Sequence, residues 1–381
     1  MKDQYKKNIL VYLGKFPGFG FDIDGGSILA RQLVDILKNN CNLDLVFIRK
    51  KHEIYEDNAV NDIRYVEYKD AFNNKFIRRL ENLDTNVEAL GDYTKYDVII
   101  TAHVSKFFGF HKMPQNFWDR TILFPMFCTS SYKRAGENVP YEYTQQEQFV
   151  FDHVNRVICP STIEKLDLLR DYKIDEGKII VIPRGINPVF CSASQHQLNQ
   201  QINIVCVGSI KKQKNNLDAV KILSLIRSHG IAADLHLVCT IQDKSLYDEI
   251  QSYIDCNNLK NHVHFHIELS QAEVAELMKN MDINISVSNW ETFGRGIFEG
   301  IASGLPTFVY SRLTGIKDIC QDCEGVTYSN NAEEMANNII TTISSRDIYD
   351  RKVKSLSDIA NKVSYKNEQK NLLTAILQQH Q

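Results

Sequence analysis

Short β-rich runs recur along this chain, separated by segments whose apolar residues return at helical spacing. That alternation is the pattern of βαβ units, and it commits the chain to parallel sheets covered by helices. Strands are expected at 8–14, 43–49, 97–103, 121–127, 156–161 and 179–185, then at 202–209, 234–240, 263–268, 283–288 and 306–311. Between the first two, Ile28, Leu29, Leu33, Ile36 and Leu37 mark one face of an amphipathic helix. The polar stretch 187–201 has no period and reads as a linker, after which the strand–Gly–helix rhythm restarts. The expected class is α/β, with two successive Rossmann-like, doubly wound domains at 1–190 and 200–361.

Bulk properties narrow the function. With 381 residues the chain can bury two cores, and 43% hydrophobic with 24% charged residues is a globular composition. The 44 basic and 47 acidic residues leave a net charge of -3, which supplies no overall attraction to nucleic acid. No apolar run approaches bilayer length. The N-terminus "MKDQYKKNILVYLG" reads as a charged tail and a first strand, and the nine scattered cysteines read as reduced thiols. A cytoplasmic protein is the expectation.

Doubly wound sheets bind ligands beyond the carboxyl ends of their strands, so chemistry is sought just after strands. The stretch "SNWETFGRGIFEGIASGLPTFVY" (288–310) follows one. Its helix, ended by Gly304, would offer free N–H groups to an anion, and Gly294 and Gly296 would let that anion approach the backbone. Glu291 in the turn and Glu299 in the helix could then accept hydroxyl groups of one ligand from two sides. An ordinary crossover with solvated glutamates has the same pattern.

The stretch also resembles the signature of retaining nucleotide-sugar glycosyltransferases of family four, which have the GT-B fold. The shared features are Ser-x-x-Glu-x-Phe-Gly, a second Glu eight positions on, and Gly-x-Pro before a strand. The resemblance continues collinearly through "DIDGGSILARQLVDIL", "VICPSTIEKLDLL", "VIPRGIN", "VGSIKKQKNNLDAVKIL", "VHFHIELSQAEVAELMKNMDI", "LTGIKDIC" and "VSYKNEQKNLLTAI". It implies two Rossmann-like domains facing a central cleft, with a C-terminal helix at 362–381 packing back on the first.

The resemblance also implies roles. Glu299 would bind the donor's ribose hydroxyls. Glu291, with the N–H groups of Thr292, Phe293 and Gly294, would hold the donor sugar and phosphates. Lys214, following Gly208 and Ser209, would neutralise the leaving diphosphate. Gly26 would allow close approach of the first-domain loop, and backbone groups near Ile267 and Leu269 would read the base. Lys214 and Glu291 are thus the catalytic candidates. Two departures stand out. Ser209 occupies the place of a usual arginine, for which Lys211, Lys212 or Arg184 could substitute. Cys128 occupies the place of a usual histidine, and His103 is a further candidate contact.

Other patterns carry less. Asp22 and Asp24 in "FDID" precede a Gly-Gly turn and read as a loop rather than a metal site. Cys320 and Cys323 have zinc-like spacing without a second pair. His262, His264 and His266 alternate along a strand and read as its outward polar face. "GKFPGFG" lacks dinucleotide-binding spacing. Lys75, Arg78 and Arg79, with Phe107, Phe108, Phe110 and Trp118, have the composition of a peripheral membrane or anionic-acceptor contact, and also of a solvated helix beside a core-packed loop.

The expected activity is transfer of a sugar from a nucleotide-diphosphate donor to a hydroxyl of a glycan, lipid-linked or small-molecule acceptor, with retention of configuration. A UDP-sugar is the default donor, and no metal or other cofactor is required. The competing readings are a non-catalytic nucleotide-sugar-binding or partner subunit on the same frame, and a nucleotide-sugar epimerase.

Overall fold

The computed structural model describes residues 6–13, 25–48, 64–68, 91–102, 104–125, 128–134, 138, 141–191 and 198–377. The chain forms two compact units, Met1–Ile182 with Gln369–Gln381, and Pro183–Glu368.

The first unit is built on a seven-stranded, all-parallel sheet in the order β3-β2-β1-β4-β5-β6-β7. Its strands are β1 (Asn8–Leu13), β2 (Asn42–Ile48), β3 (Arg64–Tyr68), β4 (Val98–Thr101), β5 (Thr121–Leu123), β6 (Arg156–Cys159) and β7 (Ile179–Val181). Ile9, Leu10 and Val11 are fully buried in succession, as a strand covered on both faces requires. Among the described residues its helices of eight residues or more are α1 (Gly25–Lys38), α2 (Tyr141–His153) and α3 (Thr162–Asp171). Ser161 starts α3 by accepting from the Glu164 N–H.

The second unit carries six parallel strands in the order β10-β9-β8-β11-β12-β13. They are β8 (Ile202–Val207), β9 (Ala233–Cys239), β10 (Val263–Ile267), β11 (Ile283–Ser286), β12 (Thr307–Tyr310) and β13 (Val326–Ser329). Alternation along β8 sends Ile204 into one core with Leu235 and Leu223, and Val205 into another with Phe298 and Val309. The longer helices are α4 (Asn216–Ser228), α5 (Lys244–Cys256), α6 (Gln271–Met278), α7 (Arg295–Ala302), α8 (Ala332–Ile343) and α9 (Arg346–Ser355), while α10 (Tyr365–Leu377) starts in this unit and belongs to the first from Gln369 on. Helix α6 opens with a capping box between Ser270 and Glu273, and Gly304 ends α7 at φ +82°.

Both sheets reverse their winding between the first strand and the fourth, so each is doubly wound, with a switch point at β1/β4 and at β8/β11. Two strands, β3 and β13, go beyond those expected from sequence, and each lies at a sheet edge. The stretch 187–201 includes Phe190, which is buried in the second unit's core. Phe107, Phe110 and Trp118 are buried in the aromatic core of the first unit, where Trp118 Nε1 donates to the Met113 carbonyl. Their aromatic surface is spent on packing. Lys75, Arg78 and Arg79 lie outside the described residues. No described helix is long and apolar enough to cross a membrane.

Candidate functional site

The switch point of the second sheet brings together the loops after β8 and β11. After β8 the chain passes through Gly208 and Ser209, turns at Lys211–Lys214, and enters α4 from Asn215 in the left-handed region. This turn is tied to the loop after β11 by long-range bonds. The Asn289 N–H donates to the Gln213 carbonyl at 2.8 Å, Gln213 Nε2 to the Trp290 carbonyl at 2.9 Å, and Asn289 Nδ2 to the Lys212 carbonyl at 2.9 Å. A Cβ on Gly208 would stand 3.2 Å from Lys214 Cδ, so the glycine leaves room for the lysine stem.

The result is an ion pair. Lys214 Nζ lies 2.5 Å from Glu291 Oε1, with the side chains 19% and 9% exposed. Ser288 donates to the same oxygen at 2.7 Å. Glu291 Oε2 takes no hydrogen bond from the described residues. Behind this pair, Arg312 Nε donates to the Ser288 carbonyl at 3.2 Å while its guanidinium lies over the Tyr310 ring.

Helix α7 begins at Gly294, whose φ of +78° suits glycine and whose position offers no side-chain cap. No side chain caps this end of the helix, and its aligned peptide dipoles make it attractive to an anion. Two glycines one turn apart seat the helix against the sheet. A Cβ on Gly296 would come within 2.7 Å of Val207 Cβ, and one on Gly300 within 2.2 Å of Asn284 Nδ2. Phe293, which precedes the helix, is buried and stacks on Phe298 at 4.5 Å.

Glu299 sits in this helix at 5% exposure. Gln271 Nε2 donates to its Oε1 at 3.3 Å, and Arg295 Nε lies 3.5 Å from the same atom. Burial pushes this carboxyl above its usual range, against the opposing charges of Arg295 and Lys214 and the Gln271 bond. Gln271 is itself held, because Asn187 Nδ2 donates to its Oε1 at 3.0 Å.

Among the predicted residues, the structure thus brings Gly208, Ser209, Lys214, Glu291, Phe293, Gly294 and Glu299 into one neighbourhood, with Thr292 in the loop between Glu291 and Phe293. Ser209 Oγ accepts from Thr240 Oγ1 at 2.8 Å. Ile267 ends β10 and is 46% exposed, which departs from the inward position that its alternation with the histidines implies, because the strand stops there. Glu268 follows with φ +58°, and Leu269 packs against the core. Arg184 is buried at 6% exposure in the second unit. Lys211 is half-buried in the turn.

Gly26 and Cys128 belong to the first unit. Gly26 is the second residue of α1, which follows β1 at that sheet's switch point. Cys128 is buried beside Thr129, whose N–H donates to both oxygens of the buried Glu147. His103, Asp22 and Asp24 lie outside the described residues. Sequence reasoning missed Arg295, Gln271, Asn187 and Arg312. The first was detectable, since Arg295 and Glu299 are one helical turn apart.

Cys320 and Cys323 are free thiols, and no group of three or more His, Cys, Asp or Glu among the described residues is placed to hold a metal ion. The arrangement that remains is a cation, a helix N-terminus and two carboxylates with accessible oxygens. It suits a ligand with an anionic group flanked by hydroxyls.

Two family descriptions match the chain in tandem, Glycosyltransferase Family 4 over residues 23–190 and Glycosyl transferases group 1 over 192–362. The chain belongs to the GT-B glycosyltransferases. Within them it is 21% identical over 183 residues to mannosylfructose-phosphate synthase of Agrobacterium fabrum, an alignment that covers 44% of this chain and only 40% of that protein. The fold of this GT-B protein is shared with sucrose-phosphate synthase from Thermosynechococcus elongatus, at a TM-score of 0.83 and 16% identity over 98% of this chain and 99% of that one. It is shared too with Anabaena HepE, a structure in complex with UDP and glucose, at a TM-score of 0.75 and 13% identity over 98% and 100%.

Proposed function

We propose that this GT-B protein transfers a sugar from a nucleoside-diphosphate donor, a UDP-sugar by default, to a hydroxyl of a glycan, lipid-linked or small-molecule acceptor, with retention. The observation that carries the reading is the Lys214–Glu291 pair beside the N-terminus of α7, with Glu299 one and a half turns along the same helix. Lys214 and the N–H groups of Thr292, Phe293 and Gly294 would meet the diphosphate, so charge developing on the leaving group is neutralised where it forms. Glu291 would accept from the sugar hydroxyls and Glu299 from the ribose diol. The base would lie against Ile267 and Leu269, since α6 starts directly after them and its Gln271 touches Glu299.

In the reaction the bond from the anomeric carbon to the phosphate oxygen breaks, and a bond from the acceptor oxygen forms on the same face. The acceptor proton passes to the leaving phosphate. Lysine and backbone donors supply the counter-charge, and no metal takes part in this scheme. Support for a uridine donor comes from the UDP-bound relative of like fold.

The test is to incubate the purified chain with UDP-, GDP- and ADP-sugars and an acceptor panel, measure nucleoside diphosphate release, and assign the product anomer by NMR. Release with a retained anomer is the expected result. An inverted anomer refutes the mechanism. Binding without release of nucleoside diphosphate from any donor, across all acceptors, refutes the enzyme reading and favours a non-catalytic partner subunit, for which the replacement of a phosphate cation by Ser209 speaks.

A further inference from the structure

Glu299 presents its two oxygens differently. Oε1 is held from the protein side by Gln271 at 3.3 Å and approached by Arg295 at 3.5 Å. Oε2 takes no hydrogen bond from the described residues and is not among the sealed-off polar atoms. A carboxylate fixed at one oxygen and accessible at the other is oriented toward a ligand. The same burial makes it costly to keep charged, because a carboxylate in a poorly solvated site tends to take up a proton. Once protonated it donates at one oxygen and can no longer accept from two adjacent hydroxyls.

Two cations act against that outcome, Arg295 from the same helix and Lys214 from the turn after β8, and Arg295 acts more strongly. Lys214 is already paired to Glu291 at 2.5 Å. Arg295 is 14% exposed and sits four residues before Glu299, so both side chains project from one helix face. Helix α7 cannot turn that face away, since Gly296 and Gly300 hold it against Val207 and Asn284.

We propose that Arg295 is the positioning residue of the Glu299 carboxylate, keeping it charged and aligned so that it accepts the vicinal hydroxyls of the donor's ribose. This rests on the donor-site reading above. Arg295 acts through Glu299, and its contribution to binding therefore exists only when the ligand has those hydroxyls.

Binding of UDP and of 2′,3′-dideoxy-UDP is measured by calorimetry for the wild-type chain, Arg295→Met and Arg295→Lys. Arg295→Met should weaken UDP about tenfold, equivalent to about 1.4 kcal/mol, and dideoxy-UDP by no more than about twofold. Arg295→Lys should recover most of the loss. In the wild type alone, the ratio of the two affinities should fall toward one as pH is lowered and Glu299 takes up its proton. This measurement needs no variant to fold. In Arg295→Met the same collapse should begin at higher pH.

Equal losses for both nucleotides overturn the proposal, as they make Arg295 a phosphate contact or a structural residue. A pH-independent affinity ratio also overturns it. Failure of the wild type to bind UDP, with GDP as a second probe, overturns the donor-site reading and the proposal together, and so is distinguishable from failure of the proposal alone.

Discussion

The Lys214–Glu291 pair can be tested by a double-mutant cycle of Lys214→Met and Glu291→Gln. Two unit charges about 3 Å apart attract by about 5–6 kcal/mol at an effective dielectric of about 20. Desolvation offsets much of this for side chains only 19% and 9% exposed. A net coupling of about 1–3 kcal/mol remains as the expectation. Lys214→Met should cost about 2–3 kcal/mol, since it strands a half-buried carboxylate. Glu291→Gln should cost less, because the amide oxygen still accepts from Ser288. The double variant should then lose less than the two single losses combined. Urea denaturation followed by tryptophan fluorescence reads this directly, since the chain has two tryptophans and they divide between the units, Trp118 in the first and Trp290 in the second. Trp290 is the residue before Glu291, so its transition should move, by about 2–4 °C per kcal/mol in a thermal scan, while that of Trp118 should not. Additive losses, within about 0.5 kcal/mol, would show that the two charges do not interact and would refute the reasoning.

Three further outcomes follow from the geometry. Gly300→Ala forces a Cβ onto the buried Asn284 side chain and should destabilise the second unit by about 1–3 kcal/mol, seen as an earlier Trp290 transition with that of Trp118 unchanged. Arg312→Met removes the donor to the Ser288 carbonyl and should weaken UDP binding about fivefold, a change near 1 kcal/mol in calorimetry, with the circular dichroism spectrum preserved. His236 is pushed down to about 4 by burial and by its neighbours His264 and His266, against the opposing charge of Asp234. Its folded value lies below the unfolded one, so the unfolded chain binds more protons and stability is lost as pH falls from about 6.5 toward 4. After discounting for partial exposure this amounts to about 1–2 kcal/mol, and denaturation of His236→Leu should show a correspondingly smaller acid sensitivity. Equal acid sensitivity in the two proteins would remove His236 from the account.

What could be read from sequence follows from how local each signal is. Strands β1 and β4 are buried on both faces and declare themselves as apolar runs. Strands β3 (RYVEY) and β13 (VTYS) have one neighbour each, carry polar residues and escape that pattern. At the site, Glu291 and Glu299 were legible because one turn and one helix set their spacing, and Lys214 because it follows a strand and a glycine. The Asn187–Gln271–Glu299 relay was not, since its first link spans 84 positions and leaves no periodic trace. Ser209 was legible only as an absence of charge, and its bond to Thr240 on the neighbouring strand end appears only when β8 and β9 are paired.

The two glycine contacts of α7, at Val207 and at Asn284, make that helix a ruler. Pinned at successive turns, it can neither slide nor roll. Its anion-attracting end at Gly294 and the carboxylate at Glu299 therefore stand a fixed distance apart, about 7.5 Å along the axis. A ligand is measured by the gap between its charged group and its neighbouring hydroxyls before its base or sugar is read at all. Removing one residue between those positions would swing the carboxylate by about 100° and shorten the gap by about 1.5 Å, and the gauge would then fit a different molecule.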